Sequence, residues 1–306
     1  MLVHVLGSAA GGGFPQWNCN CRNCDGVRHG RIAARPRTQS SIAISANGID
    51  WALINASPDI LAQIRATPAL QPARSKRDSG IAAVLLMDAQ VDHVTGLLML
   101  REGKPIPLYC TASVWGDLGS GLPLAQVLSH YCGVQWHPLS IGGDGIAHFE
   151  LPGLDGIRFS ALPLISKAPP YSPHRDQPQP GDNIGLLVEN IATGKKLFYA
   201  PGLGQIDPGV ESAMRAADCL LVDGTFWTDD EMIRLGFSDK RAADIGHLPQ
   251  SGAGGMIDVL DALSAKRKIL IHINNTNPIL DEESEQHAML LQHGIEIAHD
   301  GMEITL

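Results

Sequence analysis

Three thiols stand close enough in the chain to share one ion. Cys19, Cys21 and Cys24 form a C-x-C-x-x-C string, and thiolates at such spacing can converge on zinc with Zn–S distances of about 2.3 Å. Arg22, Arg28 and Arg31 lie nearby and are expected to favour the thiolate form. The chain holds six cysteines in all. In a reducing compartment, a cluster of three points to metal rather than cystine. The competing readings are incidental loop cysteines and a redox pair. A closed zinc site needs a fourth ligand, for which His29 and Asn23 are local candidates and His272 and Asn275 distant ones.

A second set of candidate groups sits where apolar runs end. The strand expected over 81–86 runs into Met87-Asp88-Ala89-Gln90-Val91-Asp92-His93. A later strand over 268–273 delivers His272, followed by Asn274-Asn275-Thr276-Asn277. Gly246-His247-Leu248 precedes a helix expected from near Ser251. Layered α/β folds place their sites at the C-terminal ends of strands. Each feature alone is also explained by an N-cap Asp beside a surface His, or by a histidine packed in the core.

The elements that must position these groups alternate along the chain. Short β-branched runs predict strands over 2–6, 40–45, 51–54, 81–86, 157–162, 184–189, 196–200, 219–222, 268–273 and 294–298. Helices are expected over 58–66, 94–101, 210–216, 254–263 and 282–292. Asn47-Gly48 between two strands signals a hairpin. Residues 166–182 hold five prolines without apolar periodicity; they read as a long surface loop, either a lid or a plain linker. The class is α/β or α+β, with no internal repeat and no marked domain break, so one domain over 1–306 is expected.

Composition removes several function classes. Hydrophobic residues make up 44% and charged residues 18%, an ordinary globular balance. The net charge of -9 argues against a nucleic-acid footprint, which needs clustered Lys and Arg. The four Arg of residues 28–37 read as a solvated loop. No run approaches the roughly 20 apolar residues of a membrane span. The N-terminus reads as a strand rather than a signal peptide, so the expected compartment is cytoplasmic.

Taken together, the glycine-rich turn after the first strand, the D-H turn, the G-H-L string and the late His resemble the metallo-β-lactamase superfamily. The usual first motif there is H-x-H-x-D-H; here the matching places read Asp88-x-Gln90-x-Asp92-His93. The run Gly11-Gly12-Gly13-Phe14-Pro15-Gln16-Trp17-Asn18 before the cysteines, with the string from His272 to Pro278, is more specific. It resembles the family within that superfamily that takes part in pyrroloquinoline quinone (PQQ) synthesis, over nearly the whole chain.

The resemblance implies a four-layer αββα sandwich of two mixed sheets flanked by helices. It also implies that one of two metal sites is lost. Asp88 and Gln90 replace the two His of H-x-H. Ser166-Lys167-Ala168 stands where a third His is expected, and Pro201-Gly202 where the bridging carboxylate is expected. Asp92, His93 and His272 match the second site. Two His and one carboxylate suit Fe(II) and dioxygen chemistry and can also hold Zn. Asp88 and Gln90 are expected beside the open positions as catalytic groups. His247, Lys167 or Arg175 would grip substrate carboxylates. Asn275 is the expected fourth ligand of the structural zinc.

The activity so implied is an iron-dependent oxygenase that hydroxylates the tyrosine ring of a Glu-Tyr-derived precursor of PQQ. The alternative is a carrier that binds PQQ or its precursor and assists transport to the periplasm. A third reading is a zinc hydrolase with Asp88 as an unusual ligand. The expected partner is the small-molecule or dipeptide precursor, or PQQ itself, with a homodimer among the compatible assemblies.

Overall fold

Alternation along the strands decides the architecture. Ile42 and Ile44 are buried on one side of their strand and Ala43 on the other, as a period of two requires. Both faces are apolar, so each sheet must be covered twice. The computed structural model, which describes residues 1–141 and 145–306, satisfies this with four layers, αββα.

The first sheet has seven strands in the order β14-β1-β2-β3-β4-β5-β6. These are β1 (Leu2–Gly7), β2 (Ser41–Ser45), β3 (Trp51–Ile54), β4 (Ile81–Leu85), β5 (Ile106–Thr111), β6 (Val134–Leu139) and β14 (Glu303–Thr305). The second sheet also has seven, in the order β13-β12-β11-β10-β9-β8-β7. They are β7 (Ala147–Phe149), β8 (Ile157–Pro163), β9 (Ile184–Asn190), β10 (Lys196–Ala200), β11 (Cys219–Asp223), β12 (Arg267–Ile271) and β13 (Glu296–Ile297). Each sheet is antiparallel in one half and parallel in the other, the change falling at β3–β4 and at β10–β11.

The core between the sheets includes Val5, Ile44, Leu85, Phe159, Leu186, Leu221 and Ile271. Outer cores lie under helices. Ile60, Val114 and Leu118 cover the first sheet, while Val210, Met214 and Leu260 cover the second. Truncating one such side chain to Ala removes about 2–5 kcal/mol. Among the described residues, no helix is long and apolar enough to cross a membrane.

The hairpin at Asn47-Gly48 forms: β2 and β3 pair from Ser45↔Trp51 onward, with Gly48 at φ 75°. Other expectations need correction. The helix expected over 94–101 begins earlier, as Val91–Val94 followed by a 3-10 turn Thr95–Leu100, so Asp92 and His93 are helical. The helix expected from near Ser251 starts at Met256, because Gly252 and Gly254 adopt φ of 91° and 74° and break the run. The helix expected over 282–292 is Glu285–Gln292, capped by the Ser284 hydroxyl. The strand ending at residue 273 stops at Ile271, since His272 turns to φ 61°.

Residues 166–182 pack against the body of the fold through side-chain hydrogen bonds. The Ser166 hydroxyl donates to Gly246 O at 2.9 Å. Tyr171 Oη donates to Ala89 O, Asp182 binds His174 at 2.8 Å, and Thr111 donates to Gly181 O.

Candidate functional site

Strand ends, a short helix and a glycine turn meet at one cavity. β4 ends just before Asp88, and the helix Val91–Val94 then presents Asp92 and His93. β12 ends at Ile271 in the other sheet, and His272 follows directly. The turn after β1 crosses between them, with Ala10 N–H donating to Ile273 O at 2.9 Å. Gly11 belongs there because a Cβ would meet Asp92 Oδ2 at 3.2 Å.

Asp92, His93 and His272 converge, all three buried, with their ligand-type atoms within 4.8 Å of one another. Asp92 Oδ2 lies 3.3 Å from His272 Nε2 and 3.8 Å from His93 Nε2. The far side of each imidazole is occupied. Both oxygens of Asp88 accept from His93 Nδ1, at 2.8 and 2.9 Å. Thr225 Oγ1 lies 2.9 Å from His272 Nδ1 and 2.6 Å from Asp223 Oδ1. A hydroxyl that donates to Asp223 accepts from the Nδ1–H of His272. With Nδ1 engaged on both rings, Nε2 is on each the atom left to face an ion, which would take the place of any proton there.

His93 Nε2 is buried without any hydrogen-bond partner. Such an orphan is costly, and here it faces a carboxylate across a gap that suits a cation. The electrostatics agree. Burial alone would lower the His93 pKa, but the Asp88 and Asp92 charges outweigh it and raise it to about 9. Burial would raise Asp92, yet His93 and His272 hold it below the usual carboxylate range. The pocket favours positive charge where these groups meet, so the donor set fits a divalent ion.

A second cluster lies alongside. Asp223 ends β11, fully buried, and binds His247 Nδ1 through Oδ2 at 2.7 Å. Burial would lower His247 and raise Asp223; their mutual attraction outweighs both effects and moves them in the opposite directions. Asp223, His247 and His272 also fall within ligand-like distances. However, Asp223 already accepts from Leu203 N, Thr225 N and Thr225 Oγ1. Asp223 thus has both oxygens engaged, while His247 keeps Nε2 free on the cavity side. Asp223 and Thr225 were missed in the sequence; the string Asp223-Gly224-Thr225 after a buried strand was the available signal.

The cavity measures about 280 Å³ and brings together Asp92, His93, His272, Gln90, His247 and Gly202, with Lys167 and Arg175 on its wall. Asp88 also lines the cavity, with its carboxylate engaged by His93 and Gln90 N. It thereby holds the His93 ring in place. Gln90 lines the cavity too, and its amide donates to Lys167 O at 3.2 Å, anchoring the wall. A larger cavity of about 500 Å³ lies beside the helices Pro208–Ala216 and Met256–Asp261. Its charged groups Glu211 and Arg215 pair with each other at 2.6 Å, so it offers no comparable chemistry.

The three cysteines also converge within 4.8 Å. The side-chain amide of Asn275 faces them, its Nδ2 lying 3.1, 3.7 and 3.3 Å from the sulfurs of Cys19, Cys21 and Cys24. Turning the amide over places its oxygen there instead, in the fourth position of a tetrahedron. His29 pairs with Asp25, and Asn23 donates to Asn275 O and Asn277 O, so neither faces the thiols. The arginines correct another expectation. Arg22 binds Asp281, Arg28 binds Cys19 O and Gln16 O, and Arg31 binds Asp25. Burial instead pushes the Cys21 thiol up to about 12, so a cation is what stabilises thiolate here.

Comparison with known proteins agrees with this architecture. The family described as beta-lactamase superfamily domain matches residues 50–273. The chain is 63% identical to coenzyme PQQ synthesis protein B of Cupriavidus necator over 305 residues, covering 99% of each chain. It is 66% identical to the protein of the same name from Cupriavidus taiwanensis, again over 99% of each. The crystal structure of Zn(2+)-bound PqqB from Methylobacterium extorquens superposes with a TM-score of 0.89 at 38% identity, covering 100% of both chains.

Proposed function

The chain belongs to the coenzyme PQQ synthesis protein B family of the metallo-β-lactamase superfamily, and we propose that its part in PQQ biosynthesis is an iron-dependent hydroxylation of the tyrosine ring in a Glu-Tyr-derived precursor. One observation carries this reading. Of the two sets that each combine two His with one carboxylate, Asp92, His93 and His272 keep a buried His93 Nε2 without a partner, while in the other Asp223 has both oxygens engaged by hydrogen bonds. Two-metal hydrolysis needs both ions; a mononuclear set with open positions suits Fe(II) and dioxygen.

Fe(II) held by Asp92, His93 and His272 would supply dioxygen activation. In the overall step an aromatic C–H becomes C–OH with one oxygen atom, and the other leaves as water. Two electrons and two protons come from an added reductant such as ascorbate. The chain's own groups do the rest. Asp88 and Thr225 fix the two imidazoles. His247, held by Asp223 through Nδ1, keeps its Nε2 as a proton-exchanging atom at the cavity wall. The zinc reading for Cys19, Cys21, Cys24 and Asn275 makes that cluster a staple, joining the loop after β1 to the segment that follows His272.

The test is anaerobic reconstitution with Fe(II), followed by oxygen, ascorbate and a Glu-Tyr dipeptide, read by mass spectrometry. Gain of one oxygen mass in the parent protein, and its loss in His93→Ala, is expected. No gain in the parent would sink the hydroxylase. The cavity's cationic wall favours a second reading, a carrier for PQQ or its precursor. Tight PQQ binding without turnover of the dipeptide under these conditions would select it.

A further inference from the structure

We propose that Lys167, Arg175 and Asn183 form a carboxylate-binding subsite in the wall of the metal cavity, built for an aromatic ligand with more than one carboxylate. This rests on the reading above for the identity of the ligand, and on the geometry for the subsite.

The first observation is an orphan. Asn183, at the entry to β9, is 5% exposed and lines the cavity, and its Nδ2 is buried without a partner. A buried N–H left unpaired is expensive, so the fold holds it there at a cost that an acceptor in the cavity would remove. The second observation is charge. Lys167 and Arg175 line the same cavity, and among the described residues neither forms an ion pair. Arg175 spends Nη1 on Ala168 O, which leaves most of its five donors for a ligand.

The acidic groups of the cavity cannot neutralise this wall. Asp88 is engaged by His93, Asp223 by His247, and Asp92 faces His93 and His272. What remains is the Lys167 ammonium, the Arg175 guanidinium and the unpaired Asn183 N–H, a set rich in donors. Such a set suits oxyanions, and Arg pairs with carboxylate through two parallel N–H bonds. The backbone that carries this wall is anchored. Gln90 holds Lys167 O, and Ser166 holds Gly246 O, so little backbone ordering is needed on binding. His247 is absent from the set because its Nδ1 already serves Asp223.

The probes are PQQ and its trimethyl ester, titrated calorimetrically into zinc-loaded protein, where no turnover interferes. PQQ is expected to bind at least about 10-fold tighter than the ester. Lys167→Met, Arg175→Met and Asn183→Leu should each weaken PQQ by about 10-fold or more, the range of a charge-assisted hydrogen bond, and leave the ester unchanged. Asn183→Asp should weaken it further by repulsion. Lys167 and Arg175 are only half-buried, so their variants keep the test valid if an Asn183 variant misfolds. Equal binding of PQQ and ester, or variants that weaken both alike, overturns the subsite. Inorganic phosphate displacing PQQ at equal concentration marks a general oxyanion site and overturns the carboxylate assignment. Failure of the hydroxylase shows separately, as missing oxygen incorporation with PQQ binding intact.

Discussion

Asp88 brings both carboxylate oxygens to Nδ1 of His93, at 2.8 and 2.9 Å. That contact leaves Nε2 as the atom facing Asp92. Partners of this kind typically set metal affinity by about 10–100-fold. Asp88→Ala should therefore bind Fe(II) or Zn at the cavity about 10–100-fold more weakly, measured by competition with a chromophoric chelator. The cysteine-bound zinc should stay. Unchanged affinity would mean that Asp88 does not orient His93.

The Asn275 amide faces three sulfurs, so its oxygen is the expected fourth zinc ligand. Asn275→Ala should lose zinc to a chelator faster than the parent, whereas Asn275→His, with a stronger ligand, should hold it longer. Cys24→Ala should lose the zinc outright and melt roughly 5–10 °C lower, at about 2–4 °C per kcal/mol for domains of comparable size. Metal analysis beside a melting curve checks all three. Equal zinc retention in Asn275→Ala and parent would exclude Asn275.

Much of this was legible in the sequence, because it is written locally. C-x-C-x-x-C, the Asp92-His93 pair and the β-branched runs each carry their chemistry within a few residues. What was hidden depends on distant packing. Strands β5 and β6 were missed: β6 is an edge strand with half its residues exposed, so its apolar alternation is weak. The Asp88–His93 contact is not written locally, because His93 comes five residues later and folds back only when Val91–Val94 is helical. Asn183 meets the cavity from the entry to β9, and nothing in its own neighbourhood says so, whereas Asp223 carries only the faint signal of Asp223-Gly224-Thr225 after a buried strand.

The Asp223–His247 pair makes stability depend on pH. The His247 pKa is raised and that of Asp223 lowered on folding. The stabilisation is therefore complete between the unfolded values of about 4 and about 6.5. It is lost as pH rises through the folded value of His247, and as pH falls through that of Asp223. Asp223→Asn should narrow the melting-temperature gap to the parent as pH rises from 6 to 9, and NMR titration should show His247 moving down. A gap constant across that range, with an unmoved His247, would remove the pair from the pH profile.

Two glycines separate metal binding from folding. A Cβ on Gly11 would meet Asp92 Oδ2 at 3.2 Å and Cγ at 3.4 Å, and Gly11 is not among the glycines of positive φ. Only the side chain of Asp92 has to give way, by a few tenths of an ångström. Gly96 follows the same helix, but a Cβ there would meet the backbone oxygens of Ser57 and Ala56 at 2.1 and 2.7 Å, which can move only by unpacking the turn after β3. Gly11→Ala should thus weaken the cavity metal roughly 10-fold, since ligand geometry is set by such supports, with a melting temperature near the parent's. Gly96→Ala should cost about 1–3 kcal/mol of stability, as overpacking does, and lower the melting temperature of the metal-free protein. Chelator competition and calorimetry on the two variants read the effects independently. Equal losses of stability in both would show that Gly11 serves the fold rather than Asp92.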